Sequence, residues 1–185
     1  MEGLPQDRKR INRTRVLKKL RRTKKLTTLP PSIEPGPSSG SDVLKKCEIV
    51  FRLVLRNRTH SDTAIHAFRK KCSPTKKSSF PFDRYRDEWI LNTAFELLEY
   101  HFRPTGIEDL SSLIDPSSTF EKRLTQLDDF VQLLSLEEQW IIFTHDRFDL
   151  DLSLISVSLR KPLETIKLIR SQALETLERW IWQPT

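Results

Sequence analysis

The sequence predicts an all-α fold: two small helical bundles, the C-terminal one carrying a helix-turn-helix, behind a disordered basic arm. Three observations predict it. From residue 41 onward, apolar residues recur three and four apart, the period of a buried helix face. No segment alternates apolar and polar residues over strand length. The gaps between periodic segments hold Pro, Gly, Ser or Asn, the residues that punctuate helices.

Residues 1–40 are expected to be largely disordered, with helical patches when bound. RKRINRTRVLKKLRRTKK (Arg8–Lys25) is a basic arm, and PPSIEPGPSSGS (Pro30–Ser41) cannot hold regular structure. The arm suits a solubilising tail or an import signal. It equally suits non-specific attraction to phosphates, which needs charge density but no fold.

The first domain is expected over residues 41–103. Ser41 or Asp42 is a plausible N-cap, and Val43, Leu44, Cys47, Val50, Phe51 and Val54 follow at helical spacing. After a break at NRTHS, Ala64, Ile65, Phe68 and Cys72 make a second helix face. KKCSPTKKSSFPF (Lys70–Phe82) reads as a basic loop broken by two prolines. A long helix from about Asp83 to Phe102 should bury Leu91, Ala94, Phe95, Leu98 and Phe102 and stop before Pro104 and Gly106.

Residues 104–119 read as a polar linker, and residues 120–185 as the second domain. Leu124, Leu127, Val131 and Leu134 continue a stripe begun at Phe120. SLEE (Ser135–Glu138) has the form of a capping box opening a helix through Trp140, Ile141 and Phe143. A helix near Leu152–Leu159, a turn at Arg160–Lys161–Pro162 and a final long helix complete the chain.

Charge is segregated along the 185 residues, whose formal net charge is +7. Residues 1–25 hold eleven Lys and Arg against Glu2 and Asp7. Residues 45–86 hold twelve basic and three acidic residues, whereas residues 87–157 hold four and fifteen. Two basic blocks flanking an acidic middle suggest contact with a polyanion at the blocks. No apolar run is long enough for a membrane span, and the N-terminus lacks the apolar core of a secretory signal. Cys47 and Cys72 fall within helix patterns without a CxxC pair, as small buried groups in a reducing cytoplasm would.

Catalytic chemistry is hard to place. His60, His66, His101 and His145 are scattered without ligand spacing, and no phosphate-cradling glycine loop or nucleophile motif is present. DRFDLD (Asp146–Asp151) lacks the glycine and terminal glutamate of a calcium loop and reads as a turn with N-caps. A non-enzymatic binding protein with no cofactor and no metal is expected.

DLSLISVSLRKPLETIKLIRSQALETL fits a helix-turn-helix, in which the second helix enters the major groove N-terminus first. Pro162 suits a first helical position. Ile166, Ile169, Ala173 and Leu177 should face inward. Thr165, Lys167, Leu168, Arg170 and Ser171 should face the groove, with Lys and Arg donating to guanine or to phosphate. The same spacing also suits a bundle helix whose polar side is merely wet.

Between about Val43 and Leu177 the chain resembles bacterial RNA polymerase sigma factors of the extracytoplasmic-function group. LSLEEQWIIF (Leu134–Phe143), LISVSL (Leu154–Leu159) and ETIKLIRSQALETL (Glu164–Leu177) resemble the three helices of region four, with Ser135 and Gln139 where the family has proline and arginine. SDTAIHAF (Ser61–Phe68) resembles the region-two helix that docks on polymerase, with Ile65 and His66 in place of Gln and Glu. FDRYRDEWILN (Phe82–Asn92) resembles the helix that follows it. The resemblance implies that Asp62, His66 and Phe68 touch core RNA polymerase. It implies that Lys70, Lys71, Lys76 and Lys77 draw in promoter phosphates, while Phe80, Phe82 and Tyr85 stack unpaired bases of the melted element. An anti-sigma factor is a further implied partner. The expected function is thus a cytoplasmic sigma-like initiation factor binding promoter DNA. The alternative is a non-enzymatic helical adaptor that binds a protein partner through anchors such as Trp180 and Trp182, with the arm as a tether to nucleic acid or membrane.

Overall fold

A computed structural model of the chain describes residues 14–20, 40–72, 86–102 and 119–182. Every regular element among them is helical. The linker 104–118, most of the basic loop, and residues 1–13 and 21–39 lie outside the described residues.

Residues 14–20 lie in a helix, α1, within the arm expected to be largely disordered. Val16 and Leu20, four apart, are 0% and 1% exposed, with Leu17 half-buried beside them. One apolar stripe in a cationic segment seats this stretch against the core, the tertiary packing from which most helical stability comes.

Helix α2 (Gly40–Leu55) buries Val43, Cys47, Val50, Phe51 and Val54, the stripe its spacing predicts. It stops where Arg56 takes a left-handed backbone, φ 43°. Asn57 then accepts a hydrogen bond from the His60 N–H at 3.2 Å and opens helix α3 (Arg58–Cys72). Ala64, Ile65, Phe68 and Cys72 line its inner face, and Phe68 lies 5.4 Å from Phe51. Outside, Arg69 grips both oxygens of Glu48 at 2.7 Å. Helix α4 (Arg86–His101) buries Ile90, Leu91, Thr93, Ala94, Phe95, Leu97 and Leu98. That face is too broad for one neighbour: α4 packs on α2 and α3 and, most extensively, on the helix Leu152–Leu159 of the second half.

The stripe from Phe120 to Leu134 is not one helix. Helix α5 (Phe120–Thr125) begins at Thr119, whose hydroxyl caps the Lys122 N–H, and helix α6 (Leu127–Val131) follows after a turn at Gln126. The Thr125 hydroxyl donates to the Lys122 carbonyl at 2.6 Å, the local bond by which threonine competes with helix continuation. Helix α7 (Leu136–Ile141) opens with the predicted capping box: Ser135 accepts from the Glu138 N–H, and Glu138 accepts from the Ser135 N–H at 2.8 Å. Gln139 is fully buried, and its amide donates to the Gln132 and Leu134 carbonyls at 3.1 and 2.8 Å. It satisfies backbone acceptors left open between α6 and α7.

After α7 the chain widens into a π turn (Ile142–Arg147). The Thr144 hydroxyl donates to the Trp140 carbonyl at 2.6 Å there, and the Phe148 N–H reaches back five residues to Phe143. Helix α8 (Leu152–Leu159) and helix α9 (Leu163–Trp182) follow.

The two halves are not separate bundles. One continuous buried cluster runs from Val16 to Ile181. Phe95 of α4 lies 5.6 Å from Trp140 of α7. The Gln132 amide donates to the Leu53 carbonyl, and Arg56 pairs with Asp129. An apolar face as wide as that of α4 has to be covered, and α8 is the element that covers it.

Candidate nucleic-acid interface

The region begins with the turn between α8 and α9. Asp151 caps α8 by accepting the Ser153 N–H at 2.7 Å, and that bond holds its carboxyl below the ordinary 3.8. The helix closes at Arg160, which takes the left-handed conformation, φ 53°. Lys161 N–H donates to the Ser156 carbonyl at 3.0 Å, and the Ser156 hydroxyl donates to the Lys161 carbonyl at 2.6 Å. The turn is therefore closed from both sides. Pro162 stands just before α9, one place ahead of the expected first helical position, and its carbonyl accepts the Ile166 N–H.

Helix α9 buries Ile166, Ala173, Leu174, Leu177 and Ile181, while Ile169 is half-buried. Glu164, Lys167, Leu168, Gln172 and Glu175 are exposed on the other side. Thr165 and Ser171 are half-buried at the margin. Leu168 is 57% exposed, a large apolar side chain left in water two turns into the helix.

Arg170 is not one of this set. Its guanidinium donates two hydrogen bonds to the carboxylate of Asp146, Nε reaching Oδ2 at 2.9 Å. Asp146 is fully shielded, and the Arg170 side chain keeps 22% exposure. Removing Arg170 to contact a phosphate would strand a buried carboxylate, a cost of several kcal/mol. Its groove-facing assignment is corrected: the arginine fastens α9 to the π turn.

The other cations near the turn are also paired. Arg160 meets Glu96 at 3.2 Å, Lys161 meets Glu137 at 2.7 Å, and Lys167 meets Glu164 at 2.6 Å. These pairs are a third exposed or more, so each holds its cation by roughly 1 kcal/mol or less. A phosphate can displace the carboxylate from Lys167 or Arg160, but not from Arg170. Uncomplexed, the face of α9 is close to neutral, not cationic.

In the first half, Asp62 and His66 are exposed one turn apart on α3, with Asp62 3.8 Å from Arg58. Phe68, expected beside them, is 0% exposed and belongs to the core. Its placement follows from the helical register: it shares the inner stripe with Ala64, Ile65 and Cys72. Lys70 and Lys71 are exposed at the end of α3. Lys76, Lys77, Phe80, Phe82 and Tyr85 lie outside the described residues. Trp180 and Trp182, the alternative anchors, are half-buried: Trp180 lies 6.4 Å from Phe130 and Trp182 4.9 Å from Phe120.

Among the described residues no group of three His, Cys, Asp or Glu is placed to hold a metal ion. The acidic segment 146–151 is used otherwise: Asp146 pairs with Arg170, and Asp151 caps α8. Sequence spacing missed Asp146 because nothing in a linear pattern links it to a residue 24 positions on. Compared with protein-family models, curated proteins and solved structures, the chain matches none.

Proposed function

We propose that the protein is a sigma-like initiation factor acting in the bacterial cytoplasm, binding promoter DNA through α8, the turn and α9, and binding core RNA polymerase through the Asp62–His66 face of α3. One observation carries the reading. A closed turn joins two packed helices, and the second leaves its first turns in solvent while its opposite stripe is buried. That is the arrangement a major-groove reader requires. Lys167 releases Glu164 for a phosphate or a guanine edge, and Leu168 lies against a thymine methyl.

Transcription with purified bacterial core polymerase tests it. Promoter-dependent product and co-elution with core are expected; absence of both rejects the reading. Asp62→Ala/His66→Ala is expected to lose co-elution while retaining duplex binding.

A second reading is a helical adaptor for a protein partner. It is favoured by the charge balance of α9 and by two exposed apolar side chains, Val157 at 50% and Leu168 at 57%. Under that reading Leu168→Asp abolishes partner capture, and the body has no duplex affinity of its own.

A further inference from the structure

The basic arm holds a folded element, and that element has a charged side with a fixed position. Helix α1 turns Val16 and Leu20 into the core and leaves Arg15 and Lys18 exposed and Lys19 half-exposed. Lys18 and Lys19 have no carboxylate partner among the described residues, unlike the four cations around α9. Together with Glu121 and Leu124 of α5, these three side chains line an open groove on the surface.

Two contacts register α1 on α5. The Arg15 guanidinium lies 6.0 Å over the Phe120 ring, and one of its nitrogens is 3.7 Å from a Glu121 oxygen. Arg15 and Glu121 are 57% and 74% exposed, so this ion pair is weak and exchangeable. Phe120 in turn packs on Trp182, so the ridge sits beside the C-terminal end of α9.

From this arrangement we infer that α1 is a docked phosphate-binding ridge: Arg15, Lys18 and Lys19 contact the backbone of duplex DNA at a place separate from the turn-proximal face of α9. Fifteen residues separate Lys167 from Trp182, about 22 Å along a helix. That is well over half a duplex turn of about 34 Å, so the two surfaces cannot share the same phosphates. Nucleic acid is the partner favoured over an acidic protein because the ligand must match uninterrupted positive charge. Residues 8–25 hold eleven Lys and Arg and no Asp or Glu. A polymer with one charge per phosphate meets that density, with counterion release as the driving force. The carboxylate of Glu121 at the groove rim sets the side from which a phosphate approaches.

The inference needs neither polymerase nor a promoter, so its test is independent of the transcription assay. Binding of the full chain to a fluorescent mixed-sequence duplex, three turns long, is followed by anisotropy from about 50 to 200 mM salt. Lys18→Gln/Lys19→Gln is expected to lower the log–log salt slope by about 2 and weaken all sequences alike. Both lysines are outside the core, so the melting temperature should not move. Val16→Ser/Leu20→Ser keeps every charge but removes the seat, and weaker binding is expected with the remaining helices retained by circular dichroism. An unchanged slope in the lysine variant overturns the proposal. Unchanged binding in the unseated variant also overturns it, since charge density without position would then suffice. Competition by polyglutamate equal to that of unlabelled duplex, at matched charge, would point to an acidic protein and likewise overturn it.

Discussion

Arg170 and Asp146 form a two-point ion pair that joins α9 to the π turn, with the carboxylate sealed from water and the guanidinium at the edge. Asp146 lies within the π turn, where it meets Arg170 of α9. The pair decides how the face of α9 can be used. It holds the guanidinium against Asp146 and away from the exposed side of the helix.

Breaking that pair from the arginine side is expected to be costly. Arg170→Ala leaves a buried charge without a partner and should destabilise the fold by about 3–5 kcal/mol, measured by urea denaturation. Asp146→Leu/Arg170→Met removes both charges and should recover most of the loss. If Arg170→Ala instead left stability intact while abolishing duplex binding, the guanidinium would be a DNA contact after all.

Lys167 offers the opposite case. Glu164→Gln removes its exposed partner 2.6 Å away, three residues earlier in the helix. Duplex affinity is expected to rise by an amount below about 1 kcal/mol, while Lys167→Ala should lower the salt slope by about 1. Both effects are read in one anisotropy titration. No change in either variant removes Lys167 from the interface.

The shared core predicts one unfolding event, not two. Phe95→Ala opens a cavity between α4 and Trp140 and should cost about 3–5 kcal/mol. Helix content by circular dichroism and Trp fluorescence should shift together. Separate midpoints for the two signals would return the molecule to a pair of independent bundles.

Burial pushes the Cys47 thiol far above its ordinary 9.0, and burial raises Cys72 to about 11. Native protein should therefore react with a thiol reagent at pH 8 only as fast as it opens, and fully in denaturant. The stability sign follows. Both folded-state values are raised, so their contribution is complete below pH 9 and is lost as the pH climbs above it, where the unfolded thiols ionise first. Cys47→Ala/Cys72→Ala should show a smaller drop in stability between pH 9 and 11.

Ser135 makes a smaller, cleaner test. Its hydroxyl caps Glu138 N–H at 3.4 Å and also donates to the Glu138 carboxylate at 2.7 Å. Ser135→Ala should cost about 1 kcal/mol, with a corresponding drop in melting temperature.

The helices were legible because their burial is periodic. The stripes through Cys47, Phe68, Leu98 and Leu177 needed only spacing, and the SLEE cap needed only two residues three apart. What spacing could not supply was competition between neighbours. The regular stripe from Phe120 breaks at Gln126, next to a Thr125 hydroxyl bonded to the Lys122 carbonyl. Val16 and Leu20 carried too little apolar area to stand out among eleven cations, and they fold only because a core is there to receive them. Arg170 looked like a free polar residue because its partner approaches from the π turn, whose geometry no linear period encodes. The candidate region was thus readable only in part: spacing gave the turn and the exposure of Lys167 and Leu168, but not the half-burial of Thr165 and Ser171 or the ion pairs.

The packing of α4 on α8 has an engineering consequence. Each of these helices is half of a seam, so neither half of the chain can be exchanged for that of another protein as a self-contained cassette. A functional hybrid must carry over matched sets from both sides, with Phe95 and Trp140 transplanted as a couple. Cut apart, each fragment would expose the apolar face that the other now covers.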